Sequence, residues 1–119
     1  MFTACKKDKE KTTSEKVVAK WNLKTETYND YYSGSNHITT YTGATTDFVD
    51  FRADGKVYVV IGGDKDTSNY SVISDTKITF DGEAYDIKTL DDNNFVINSK
   101  ITTQNTPLEF EESTITLGK

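Results

Sequence analysis

Sulfur, proline and histidine are nearly missing from this chain of 119 residues: Met1, Cys5, His37 and Pro107 are each the only residue of their kind. One cysteine excludes an internal disulfide and any zinc ribbon. One histidine, in a polar segment with no cysteine near it, leaves no metal-ligand set. A Ser–His–acid grouping can be drawn in any chain this rich in Ser and Asp, so its spacing carries no information. No apolar run approaches the roughly 20 residues of a membrane-spanning helix. No window from Asn22 onward keeps helical apolar spacing for three turns. No glycine-rich phosphate loop follows a strand and opens a helix. Basic charge is scarce as well. The net charge is −5, with residues 1–16 at +2 and the remainder at −7. An acidic domain repels phosphate backbones, which argues against nucleic acid as a partner. The residues supply no catalytic set and no cofactor motif, so the reading is a non-enzyme.

What is present is β-forming sequence. Only 34% of the residues are hydrophobic, enough for one modest core. Thr, Tyr, Val, Ile and Phe are abundant, the residues that suit a half-buried pleated surface. Trp21, Leu23, Thr25 and Thr27 alternate with Asn22, Lys24, Glu26 and Tyr28 in a first strand of period two. Further strands are expected over residues 46–52, 56–61, 68–74, 77–80, 83–90, 95–103 and 108–117, and residues 37–41 offer one more inside the Tyr-, Ser- and Gly-rich segment 29–43. Asp54-Gly55 and Asp81-Gly82 mark tight hairpins between them. Residues 62–67 read as a turn region. In the last strand the inward phase passes from Leu108 and Phe110 to Ile115 and Leu117, which a bulge near Ser113 would explain. Residues 15–20 have room for one helical turn, with Ser14 as N-cap. The expected fold is all-β: an antiparallel up-and-down meander of eight or nine strands closed into a barrel, with a β-sandwich as the alternative. A long meander exposes edges, and closure removes them.

The N-terminus carries a motif of its own. Phe2-Thr3-Ala4-Cys5 resembles the end of a bacterial lipobox, a bulky apolar residue and two small ones before a cysteine that is lipidated. Lys6-Lys7-Asp8-Lys9-Glu10 then opens a hydrophilic tether. The apolar stretch that should precede the box is absent, so Met1 is expected to lie inside a longer signal peptide. This reading divides the chain into a disordered tether, residues 1–16, and a β domain, residues 17–119. It expects lipidation at Cys5, a membrane contact through that anchor, and a place on a bacterial cell envelope, on the periplasmic or surface face of the outer membrane.

Several motifs in order carry a family resemblance. They are Val17-Val18-Ala19-Lys20-Trp21-Asn22-Leu23, Phe51-Arg52-Ala53-Asp54-Gly55, Tyr70-Ser71-Val72-Ile73, Lys77-Ile78-Thr79-Phe80 and Tyr85-Asp86-Ile87-Lys88-Thr89-Leu90. In this order the chain resembles the lipocalin-like domains of small bacterial lipoproteins, although Ala19 stands where that family prefers glycine. The resemblance implies an antiparallel barrel with a short helical turn before its first strand, and imports little function.

Two candidate sites follow. Trp21, Leu23, Phe51, Val59, Tyr70, Tyr85 and Phe95 are expected inside the barrel, either lining a pocket for a small apolar or amphipathic ligand or filling a solid core. A void near the roughly 300 Å³ low end of ligand pockets would separate the two. Tyr28, Tyr31, Tyr32 and Tyr41, with Ser33, Gly34, Ser35 and Asn36, read as a recognition loop over residues 28–43 for an envelope protein or glycan, because Tyr, Ser, Gly and Asn give rigid contact area at low entropy cost. Asp64, Asp66 and Ser68 mimic a calcium loop with Asp75 in twelfth place. Asn69 stands where glycine is required, and no helices flank the segment, so a solvated turn is the better reading.

Overall fold

A computed structural model describes residues 11–103 and 108–119. The lipobox expected at Cys5 and the turn expected at residues 104–107 lie outside the described residues. One short helix, α1 (Thr13–Val17), precedes nine strands: β1 (Ala19–Tyr32), β2 (Ser35–Thr42), β3 (Phe48–Phe51), β4 (Lys56–Ile61), β5 (Asp64–Ser74), β6 (Lys77–Phe80), β7 (Glu83–Leu90), β8 (Asn94–Thr102) and β9 (Phe110–Gly118). Every neighbouring pair is antiparallel, and β1 also pairs with β9, so β1 and β3 to β9 close an eight-stranded barrel with β2 as a ninth strand outside it. Closure resolves the choice between barrel and sandwich in favour of the barrel.

Local chemistry explains the elements. At α1, Thr12 and Glu15 form a capping box: the Glu15 N–H donates to Thr12 Oγ1 at 3.2 Å and the Thr12 N–H to Glu15 Oε1 at 2.8 Å. The cap is therefore Thr12 rather than Ser14, because Glu15 three residues on completes the box. The folded unit accordingly begins before residue 17, inside the segment assigned to the tether. Val17 is fully buried, and Trp21 Nε1–H donates to its carbonyl at 3.0 Å, which fixes α1 across one end of the barrel.

β1 is long because it changes partners. Its first part, residues 19–22, pairs with β3, and its second, residues 25–32, pairs with β2, while β9 runs along the other side from Asn22 to Tyr31. The change falls at a bulge, where Leu23 faces Leu117 but Thr25 faces Thr116, leaving Lys24 unpaired against β9. Beyond the bulge, β2, β1, β9 and the end of β8 continue past the barrel as an arm. One face of the arm is a threonine array, with Thr25 opposite Thr42 and Thr116, and Thr27 opposite Thr40 and Thr114. Cross-strand pairs of this kind hold a sheet together where no core lies beneath it.

Three expectations are corrected here. Residues 28–43 are not a loop: the strand expected over 37–41 is present and longer, β1 runs to Tyr32, and β2 returns from Ser35 through a two-residue turn in which Ser33 (φ 53°) and Gly34 (φ 75°) both take the left-handed conformation of a type I′ hairpin. β5 begins at Asp64, so the turn expected over residues 62–67 shrinks to Gly62-Gly63. β9 has an unbroken register with β8 from Phe110 to Gly118, so no bulge sits near Ser113. The irregularity is across the ladder in β1, and Phe110 faces the side away from Ile115 and Leu117.

Candidate functional site

The barrel interior is filled at the α1 end and open at the other. Trp21, Phe51 and Phe95 are fully buried, with ring centroids 5.4 Å apart for Trp21–Phe95 and 5.6 Å for Phe51–Phe95. Val17, Val57 and Ile78 complete this packing. Tyr70 stands at the same end, its ring edge-on to Phe51 and its hydroxyl donating to the Arg52 carbonyl at 2.6 Å. Trp21, Phe51 and Phe95 therefore form solid core, while Tyr70 stands at its margin, where it lines an open groove of about 390 Å³ outside the barrel with Val18, Ala53 and Val72.

Leu23, Val59 and Tyr85 do line a cavity, at the opposite mouth. Its volume is about 210 Å³, and its floor comprises Leu23, Val49, Val59, Ile61, Phe80, Tyr85 and Ile115. That falls short of the roughly 300–1,000 Å³ of pockets for drug-sized ligands, so an occupant would be small. The rim holds Glu26 from β1, Asp66 from β5, Asp81 from the β6–β7 turn and Glu83 from β7, with no lysine or arginine among the lining residues. The ion pairs of the described residues lie elsewhere, at Arg52–Asp50 and Lys77–Asp86. Glu83 accepts from Ser99 Oγ at 2.8 Å and Asp81 from Ser68 Oγ at 2.8 Å, neutral donors that leave the charge uncompensated. Burial first, and then Glu83, Glu26 and Asp81, push the Tyr85 hydroxyl up to about 12. The sequence singles out Asp66 as part of a solvated turn and Asp81 as a hairpin residue, and gives Glu26 and Glu83 no signal, because each looks like an ordinary solvated charge in its own segment. A wider groove of about 580 Å³ runs outside the barrel beside α1, but Lys11, Lys16 and Lys88 line it and it has little apolar floor.

The four tyrosines divide between the faces of the arm. Register with Glu26 places Tyr28, Tyr32 and Tyr41 on the face continuous with the cavity, and Tyr31 on the other, where its ring stacks on Phe110 with centroids 5.0 Å apart. Tyr32 stacks on His37 at 3.9 Å. Burial and a hydrogen bond to Glu111 raise the Tyr28 hydroxyl above its ordinary value.

Tyr41 is bound to a residue with no sequence signal, Asp47. This fully buried carboxylate accepts from the Tyr41 hydroxyl, from the Ala44 N–H at 2.9 Å and from the Gly62 N–H at 2.9 Å, joining the foot of the arm to two loops at the mouth. Those donors, the tyrosine foremost, hold its pKa below the usual carboxylate range. A carboxyl depressed by folding stabilises the fold fully above its ordinary pKa, and that contribution is lost as pH falls through the folded value. Asp47→Asn should therefore lower the thermal midpoint most at neutral pH, with the gap to wild type closing below about pH 4. A gap that stays constant across that range would contradict the charged role of Asp47.

Among the described residues, no three His, Cys, Asp or Glu side chains converge to hold a metal ion, and no helix is long and apolar enough to cross a membrane. Comparison with family models, with curated proteins and with solved structures gave no match.

Proposed function

We propose that this chain is a non-enzymatic binding module of the bacterial cell envelope, anchored by lipid on Cys5. Its barrel mouth takes a small amphipathic ligand whose polar end is an organic cation. One observation carries the ligand class: Glu26, Asp66, Asp81 and Glu83 ring an apolar floor with no basic residue among them. A short alkyl group would cover Leu23, Val59 and Ile115, and an ammonium would meet the carboxylates, with the Tyr28 ring one step up the same face for a cation–π contact. The cavity is too short for a long lipid chain, so a ligand of a few carbons is the expected size. Lipocalin-like resemblance and the lipobox support the envelope setting.

Calorimetric titration tests the ligand class with three probes of matched length: butylammonium, butanol and butyrate. Butylammonium should bind, butanol more weakly and butyrate not at all. Glu26→Gln and Glu83→Gln should each weaken the ammonium about fivefold, the worth of a half-exposed charge pair near 1 kcal/mol. Equal binding of the alcohol and the ammonium would defeat the cation reading, and silence from all three probes would defeat the cavity itself. For the anchor, Cys5→Ser in the full precursor should move the protein to the soluble fraction, and retention with membranes would refute it.

A second reading, recognition of an envelope protein or glycan by the arm, is favoured by Tyr28 and Tyr32, which stay 37% and 41% exposed on one face of a structured hairpin. Replacing both with serine tests it without removing the β1 backbone on which β9 depends.

A further inference from the structure

Among the described residues β2 pairs with β1 alone, so its entire outer edge is open. Exposed edges of natural sheets are usually protected by charge, proline, bulges or brevity. β2 has none of these. Its eight residues, Ser35-Asn36-His37-Ile38-Thr39-Thr40-Tyr41-Thr42, are all exposed, pair with β1 in unbroken register, and include no Lys, Arg, Asp, Glu or Pro. The other free edge of the arm, on β8 past its last pairing with β7 at Asn98, spans only residues 99–102 and carries Lys100.

The direction of the free groups on β2 follows from the hairpin. A two-residue turn makes Tyr32–Ser35 a hydrogen-bonded closing pair, and such pairs alternate along the ladder. His37, Thr39 and Tyr41 thus direct their N–H and C=O groups to β1, while Asn36, Ile38, Thr40 and Thr42 direct theirs outward.

We infer that this edge pairs with the same edge of a second copy of the chain, antiparallel across a two-fold axis at Ile38. That register sets Ile38 opposite its symmetry mate and Asn36 opposite Thr40 of the other copy. Residues that meet then lie on the same face, and every outward donor in this stretch finds an outward acceptor. Two-fold contact requires a patch that complements itself. A charged edge would meet its own charge across the axis, at a cost in stability. This one presents no Lys, Arg, Asp or Glu, and brings Ile38, 62% exposed in the single chain, against an identical isoleucine. One strand edge buries less than the roughly 1,200 Å² of a standard interface, and each copy carries −5. The dimer is therefore weak, and it tightens as salt screens the mutual repulsion.

Sedimentation velocity over rising protein concentration should show a monomer–dimer equilibrium that shifts toward dimer with salt. Ile38→Lys should weaken it at least tenfold. Thr40→Pro should do the same, since it removes an outward N–H and leaves the β1 ladder its bonds; far-UV circular dichroism confirms that both variants fold. The register has its own test in a Cys5→Ser background. Ile38→Cys should cross-link on mild oxidation, because facing residues of a hydrogen-bonded pair lie about 5.5 Å apart at Cα, within disulfide range. Asn36→Cys should not cross-link, its mate being about 13 Å away along the strands. A monomer at every concentration and salt level overturns the inference, and so does a dimer that both edge variants leave intact. Cross-linking at 36 but not at 38 overturns the register, and a growing polymer overturns the two-fold axis.

Discussion

Trp21→Ala is expected to cost about 3–5 kcal/mol, a large share of the roughly 5–15 kcal/mol that holds a domain together. The indole is fully buried, its N–H donates to the Val17 carbonyl at 3.0 Å, and its ring packs 5.4 Å from Phe95. Truncation empties the filled end of the barrel and releases α1 at the same time. Trp21→Phe keeps much of the volume but leaves the Val17 carbonyl without its donor, so its cost should be smaller, about 1–3 kcal/mol. Urea unfolding followed by far-UV circular dichroism measures both, since the variants lose the only indole. A loss below about 1 kcal/mol for Trp21→Ala would mean that the barrel is not packed around this residue.

Gly43→Ala is the second large effect. Gly43 ends the arm, its N–H donating to the Lys24 carbonyl at 2.9 Å where β1 bulges. A β-carbon built there would lie 1.9 Å from the Leu23 carbonyl oxygen and 2.8 Å from its carbon, both backbone atoms of the strand that closes the barrel. Backbone cannot swing aside as a flexible side chain does. Either the loop over residues 43–47 lifts, loosening Asp47 from its donors, or the bulge re-registers. The expected cost is about 3 kcal/mol or more, at the upper end for overpacking. A neutral result would show that the loop can leave β1 freely. Gly34→Ala offers a contrast: nothing lies within 4 Å of the added carbon, so its penalty comes from the left-handed backbone alone and should stay near 1 kcal/mol.

Where the chain alternates around buried residues, it was readable. Trp21 and Leu23 announce the inner face of β1, Phe95 and Ile97 that of β8, and Asp81-Gly82 a hairpin that the structure forms with Asp81 at φ 55° and Gly82 at φ 80°. Of the arm, β9 and the end of β8 were readable, but the end of β1 and β2 outside residues 37–41 were not, because neither face of β2 meets a core. Without buried positions there is no apolar alternation, and Ser, Asn, Thr and Gly then look like loop. Ser33-Gly34 was the available turn signal, weaker than Asp-Gly. Asp47 was hidden for another reason: its donors are the end of β2 at Tyr41, its own turn at Ala44 and the separate β4–β5 turn at Gly62, which only the fold brings together.

The sequence by itself determined the strand class, most of the turns and which side chains enter the core, since period two records the face each residue takes. Tertiary structure decided which strand lies across from which. Pairing of β1 with β9 turned a meander into a barrel, gathered four carboxylates from three places in the chain around one mouth, and left β2 with an open edge. Those outcomes rest on contacts between residues far apart along the chain, which no local spacing encodes.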